Sequence, residues 1–199
     1  MEFGYLSGRF YTFTNCPGLA KKELDDAFKH CAASSMHNKR AILLTLIPAK
    51  MLENVYPTER LLQKYHLTDE FLPLLTALKT GNVSEYSRIL LDKFDLYTSL
   101  GVFIWLNKLK LVVYRNIIKK VLSLYALLPH VKPDQITFPE LKRALELAKV
   151  KMDVMELERV LVSLISFGYL KAYISHDQKT LVTRKLKPFP RLSELNMSQ

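Results

Sequence analysis

After residue 130 the spacing of apolar residues changes character, and no other feature of the sequence constrains the fold as tightly. Before that point apolar residues recur at three- and four-residue intervals between short breaks, the mark of one amphipathic helix after another. Beyond it, the β-prone triplet Gln135-Ile136-Thr137 precedes a helix with Phe138, Leu141, Leu145 and Ala148 on one face. Asp153 then caps a second helix that turns Val154, Leu157, Val160, Leu161, Leu164 and Ile165 inward, and Gly168 stops it. Two β-prone runs follow, at 169–174 and 180–183, joined by the turn residues of 175–179 into a hairpin. Helix, short strand, helix, helix, hairpin is the order of a winged helix. The expected fold is mainly α. An antiparallel stack of helical repeats, tetratricopeptide-like, fills 1–130, a winged helix with a small β-hairpin fills 131–190, and a flexible tail occupies 191–199.

Within the stack, the break at Asn15-Cys16-Pro17-Gly18 separates an aromatic opening stretch from a helix of about residues 19–33. Gly8, Tyr11, Ala20, Leu24 and Ala27 fall at the spacing of a tetratricopeptide hairpin, in which small residues let two helices touch. A shift of 34 residues gives Ile42, Thr45 and Asn54, so the repeat does not continue in strict form. Further helices are expected over 39–53, from Pro57 to Tyr65, and from a cap at Asp69 to Lys79. Gly81-Asn82 breaks the chain, Ser84 caps a helix running to Leu100, and Gly101 precedes a long apolar helix over 102–128.

The net charge of +10 favours polyanionic or acidic partners, and its distribution is uneven. From Leu96 to Pro133 there is no Asp or Glu, yet Lys108, Lys110, Arg115, Lys119, Lys120 and Lys132 lie there. A second cluster sets Lys171, Lys179, Arg184, Lys185, Lys187 and Arg191 against Asp177 alone. No apolar run reaches the 18 or so residues that span a bilayer. The first residues lack the basic and apolar regions of a secretory signal, and two cysteines are too few for a disulfide framework. An intracellular protein without a membrane span is expected.

Five stretches resemble the PCI-domain family, named for the proteasome lid, the signalosome and a translation initiation factor, in its mRNA-export branch. They are YLSGRFYTF at 5–13, NKRAILLTLIPAKML at 38–52, PTERLLQKYHL at 57–67, KLKLVVYRNIIKK at 108–120 and YISHDQKTLV at 173–182. They occur in the expected order and cover nearly the whole chain. The resemblance implies a non-catalytic subunit of a nuclear, transcription-coupled mRNA-export complex, associated in part with the nuclear pore and with some of it cytoplasmic. It implies two protein partners, a large helical scaffold subunit and a small acidic disordered protein, and a nucleic-acid surface formed by paired winged helices. It also implies that a helical region of similar size precedes the segment this chain matches, which would make the chain a C-terminal half.

Two candidate sites follow from the charge map. On a continuous helix over 102–128, Lys108, Arg115 and Lys119 would form one cationic line, with Lys120 beside it, able to hold a phosphate backbone or the acidic partner. The alternative is a solvated helix face. The second site is the wing and the segment after it, with Lys171, Lys179, Arg184, Lys185 and Lys187 placed for phosphate contacts that position RNA or DNA without reading sequence. The alternative there is a hairpin that only packs against another protein. The second helix of the winged helix carries Asp153, Glu156 and Glu158 against Arg159, a poor probe for a major groove. Tyr97, Trp105, Tyr114, Tyr125, Tyr169 and Tyr173 could stack on bases, but their spacing favours the core, most clearly for Trp105. Catalytic and cofactor patterns are missing. Ser175-His176-Asp177 are adjacent and cannot converge on one substrate, Cys16, His30, Cys31 and His37 lack metal-ligand spacing, and no glycine-rich phosphate loop occurs.

Overall fold

The computed structural model describes residues 2–129 and 131–192. The described elements, in chain order, are α1 (Glu2–Phe13), α2 (Pro17–His30), α3 (Met36–Leu52), α4 (Glu59–Lys64), α5 (Thr68–Thr80), α6 (Val83–Asp92), α7 (Phe94–Ser99), α8 (Phe103–Lys108) and α9 (Lys110–Tyr125). They continue with β1 (Gln135–Thr137), α10 (Phe138–Leu147), α11 (Val154–Ser166), β2 (Ala172–Ser175) and β3 (Thr180–Thr183). The fold is mainly helical with one small antiparallel sheet, as the sequence predicts. Two compact units divide the described residues, 2–76 with 87–109 and 77–86 with 110–192. The sequence places the long helix in the stack; in the structure its second part, α9, clusters with the winged helix.

In the first unit α1 and α2 form the expected hairpin. Gly8 is obligatory at their crossing, because a Cβ there would lie 2.6 Å from Cγ of the fully buried Leu24. Ala20, Leu24 and Ala27 are all buried in α2. Helix α3 is apolar on nearly every side, with Ile42 through Ala49 buried, as befits the helix at the centre of a stack. Ion pairs Lys21–Glu53 and Lys50–Asp25, both at 2.6 Å and partly exposed, join α2 to the end of α3. Trp105 of α8 is fully buried and donates its indole N–H to Asn15 Oδ1 at 2.9 Å, in keeping with the core position its spacing predicts. Tyr97 is also buried and donates its hydroxyl to the Glu70 carbonyl at 2.6 Å; burial first, and the Glu70 charge second, hold this phenol neutral.

The two longest predicted helices are each interrupted. The expected helix from Ser84 to Leu100 is α6 and α7, separated at Lys93, and the expected helix over 102–128 is α8 and α9, separated at Leu109. No Pro or Gly stands at either break. At the second, Leu109 N still bonds Trp105 O at 3.3 Å, so an α-type bond leads into the break. Asn82, not Ser84, caps α6, through Oδ1 accepting from Glu85 N at 3.1 Å; Ser84 sits inside the helix and donates to Lys149 O. Asp69 lies in the first turn of α5, which starts at Thr68.

The second unit contains the winged helix. Strand order is β1-β3-β2, antiparallel throughout, with Ile136 opposite Leu181 and Ile174 opposite Leu181 from the other side. Phe138, Leu141 and Leu145 of α10 and Leu157, Leu161 and Leu164 of α11 are all buried, and α10 packs against β1 and α11 against β2. Helix α9 packs on both α10 and α11. The expected Asp153 cap is present, accepting from Glu156 N at 2.6 Å. Among the described residues no helix is long and apolar enough to cross a membrane.

Gly81 ends α5 at φ +76°, and an added Cβ would lie 2.8 Å from the backbone nitrogen of Ile117 in α9. Left-handed backbone disfavours a side chain there, and the neighbour is main chain that cannot rotate away. Gly81→Ala is therefore expected to lower unfolding free energy by about 2–4 kcal/mol. Urea unfolding followed by circular dichroism checks it, and an unchanged midpoint would contradict the close approach.

Candidate nucleic-acid interface

The wing is built by alternation along β2 and β3. Tyr173 faces Val182, which faces Gln135 of β1, and Arg184 N donates to Lys171 O at 2.9 Å, extending the ladder by one pair. Because side chains alternate across a strand, Lys171, Tyr173, Val182, Arg184 and Gln135 share the outer face, while Ile136, Ile174 and Leu181 share the inner one. After β3 the chain folds back, and Lys171 N donates to Pro188 O at 2.7 Å. That return carries Lys185 and Lys187 beside the hairpin, with Lys187 at φ +50°. Lys179 occupies the hairpin turn at φ +48°, its N–H donating to His176 O. Lys171, Lys179, Arg184, Lys185 and Lys187 are all exposed. Among the described residues none of the five forms an ion pair.

The expected line on the long helix is not built. Lys108 is exposed at the end of α8 in the first unit, whereas Arg115, Lys119 and Lys120 belong to α9 in the second. Arg115 is 5% exposed. Its Nη2 donates to the Pro190 carbonyl at 2.6 Å, Nη1 reaches Asn116 Oδ1, and its guanidinium lies over the Phe189 ring. Val112, Ile118 and Leu122 flank it at helical spacing, so the apolar stripe carries Arg115 inward. The angular alignment of the three basic residues is overridden by that stripe. Lys119 and Lys120 are exposed, and Lys120 Nζ donates to Thr80 O at 2.6 Å, a cation at the carbonyl end of α5.

Helix α11 presents a mixed face. Glu156 and Arg159 are exposed as expected, but so are Met155 and Val162. Glu158 is held by the wing, its Oε1 3.1 Å from His176 Nδ1. Ser175-His176-Asp177 stays a turn, with His176 engaged by α11. Of the aromatics, Tyr97, Trp105, Tyr114 and Tyr169 are core, as their spacing indicates. Burial, with the Glu156 charge second, raises the Tyr114 phenol. Tyr125 is only half-buried, and Tyr173 departs furthest from the core reading at 63% exposed. Its signal is legible in the strand itself: Ala172 and Ile174, its neighbours, take the inner face, leaving 173 to the outside. The expected tail at 191–199 lies, beyond residue 192, outside the described residues. Among the described residues no group of three or more His, Cys, Asp or Glu is arranged to hold a metal.

One local device fixes where β1 meets α10. Thr137 accepts from Glu140 N, and Glu140 Oε2 accepts from the Thr137 hydroxyl at 2.7 Å and from Thr137 N at 3.0 Å, a reciprocal capping box. The bond from the Thr137 hydroxyl, then that from Thr137 N, lowers the Glu140 carboxyl below its ordinary value. The T-x-x-E spacing announces this box in the sequence.

A stack of helices leading into a winged helix with a basic wing defines the class of protein, a helical-repeat protein closed by a winged helix. The PCI domain profile matches residues 62–185, and the chain belongs to the PCI-domain family. It is 38% identical over 194 residues to "PCI domain-containing protein 2" of Xenopus laevis, covering 97% of this chain and 47% of that protein. It is 36% identical over 194 residues to a "PCI domain-containing protein 2 homolog" of Caenorhabditis elegans, covering 97% and 45%. A PCI domain-containing protein of Schizosaccharomyces pombe is 31% identical over 190 residues, covering 93% and 43%. The chain thus spans just under half the length of these curated relatives.

Thr137→Ala is expected to destabilise the winged helix by about 1 kcal/mol through loss of the cap. Because the Glu140 pKa is lower in the folded state, its contribution is complete above the ordinary value of 4.5 and disappears as pH falls through the folded value. Thermal midpoints of the parent protein and Glu140→Gln should therefore differ by a constant amount above that pH and converge below it. A gap independent of pH would contradict the charged cap.

Proposed function

We propose that this chain is part of a scaffold subunit of a nuclear, transcription-coupled mRNA-export assembly, with its winged-helix wing contacting RNA or DNA without sequence preference. The observation that carries the reading is the wing itself. Five exposed cations stand on and just after one hairpin with Asp177 as the acid among them. Such a surface neutralises phosphates and releases their counterions, whatever the base sequence. Helix α11 supports the same division of labour, since Glu156 and the apolar Met155 and Val162 suit no groove. Protein partners take the remaining role. A large helical scaffold subunit and a small acidic disordered protein are the partners proposed from family likeness. Phe3, Leu6 and Phe10, exposed at helical spacing along α1, offer an apolar docking face.

A second reading is favoured by the Met155 and Val162 face of α11: a purely structural subunit of a PCI assembly that meets other proteins there and binds no nucleic acid. Salt dependence separates the two. Fluorescence anisotropy with a short labelled RNA is expected to show affinity falling steeply between about 50 and about 200 mM salt, with little change across sequences. Lys171→Glu, Arg184→Glu and Lys185→Glu together should weaken binding by at least about tenfold, and reduce the salt slope by about 0.7 for each single-strand phosphate that is no longer neutralised. Absence of binding at low salt would refute the nucleic-acid role and leave the structural reading.

A further inference from the structure

We propose that the outer face of the β1-β3-β2 sheet is a stacking platform for single-stranded nucleic acid, with Tyr173 as the residue on which a base stacks and Lys171 and Arg184 as the phosphate contacts beside it. The inference rests on the nucleic-acid reading of the wing and makes it specific to one strand state. Three observations converge. The register puts Tyr173 in the middle of the outer face, with Val182 opposite it and Gln135 beyond. The ladder extension puts Lys171 and Arg184 as a cross-strand pair one step along the same face, both exposed. Lys171, Ala172, Tyr173, Val182, Thr183 and Arg184 together line a shallow open depression.

The chemistry of that face selects its ligand. Two like charges placed directly across a strand pair repel, an arrangement that costs stability unless an anion lies between them. Tyr173, 63% exposed in the same row, offers a π surface that none of the described residues covers in full. Cations beside an exposed aromatic are the combination that follows a phosphate backbone while a base stacks on the ring. A duplex cannot use the ring, because its bases already stack on one another and only their edges face the grooves. Gln135, at the far side of the row, adds an amide able to meet a base edge or sugar hydroxyl. Strand addition by a peptide is the poorer fit. Strand β2 offers a four-residue edge, shorter than a typical strand, and two cations would flank the incoming chain.

The test compares Tyr173→Ala, Tyr173→Leu and Tyr173→Phe with the parent protein, using labelled oligo(U), oligo(dT) and a double-stranded hairpin RNA. Thermal midpoints are expected to stay close to the parent because the side chain is mostly exposed; Tyr173→Leu keeps an apolar side chain on the strand should alanine disturb it. Tyr173→Ala and Tyr173→Leu should weaken both single strands by about fivefold or more, while Tyr173→Phe stays within about twofold. Duplex affinity should be unchanged, as should the slope of affinity against salt, since no charge is removed. Single-strand affinity unaltered by Tyr173→Ala and Tyr173→Leu would overturn the platform, and so would an equal loss for duplex. If the parent protein binds none of the three at low salt, the nucleic-acid reading of the wing is what has failed.

Discussion

The wing's surface chemistry depends on one buried residue, Leu181. It sits on the central strand β3, has no exposed surface, and is flanked by Ile136 on β1 and Ile174 on β2. A strand's side chains alternate with a period of two, so anchoring these three residues inward leaves Gln135, Val182 and Tyr173 no place but the outer face. A slip of one residue would bury Tyr173 and Lys171 and expose the apolar triad. The main-chain bonds from Thr183 N to Asp134 O and from Arg184 N to Lys171 O hold the register at the open end of the hairpin. The apolar core of a winged helix thereby fixes which cations and which aromatic ring meet solvent.

The same principle removes a cation from the surface. Arg115 lies on the apolar stripe of α9 and is engaged internally, its Nη2 by the Pro190 carbonyl and its guanidinium plane by the Phe189 ring. A buried guanidinium with these partners fastens the segment after β3 to α9 and cannot also bind phosphate. Counting basic residues along a chain overstates the charge available to a ligand. Position relative to the apolar stripe decides which of them count.

Much of the architecture was legible because it rests on local signals. The winged helix follows from apolar spacing at Leu157, Leu161 and Leu164, from the Asp153 cap, from Gly168 and from the hairpin turn. The first helical pair follows from Gly8 and Leu24. The breaks at Lys93 and Leu109 were not legible, since neither carries a helix-breaking residue. The Asn82 cap was open to reading, but Ser84 competes with it two residues on. At the interface, the wing cations were legible as exposed residues of a turn-rich hairpin. The burial of Arg115 needed the stripe of Val112, Ile118 and Leu122 to be weighed, and the cover it receives from Phe189 and Pro190 is a long-range contact that no local pattern announces. Tyr173 shares its residue type with core tyrosines such as Tyr97 and Tyr169, and only strand parity sets it apart.

Membership of the PCI-domain family agrees with this architecture, and the proposed function divides the winged helix between an α11 that enters no groove and a cationic, aromatic hairpin that meets nucleic acid. The most direct measurement of that division is backbone amide chemical-shift mapping of the chain titrated with oligo(U). The largest shifts are expected at Lys171, Tyr173 and residues 182–187, with small ones at Met155, Arg159 and Val162 on the outward side of α11. Shifts concentrated on α11, with the wing unchanged, would contradict it.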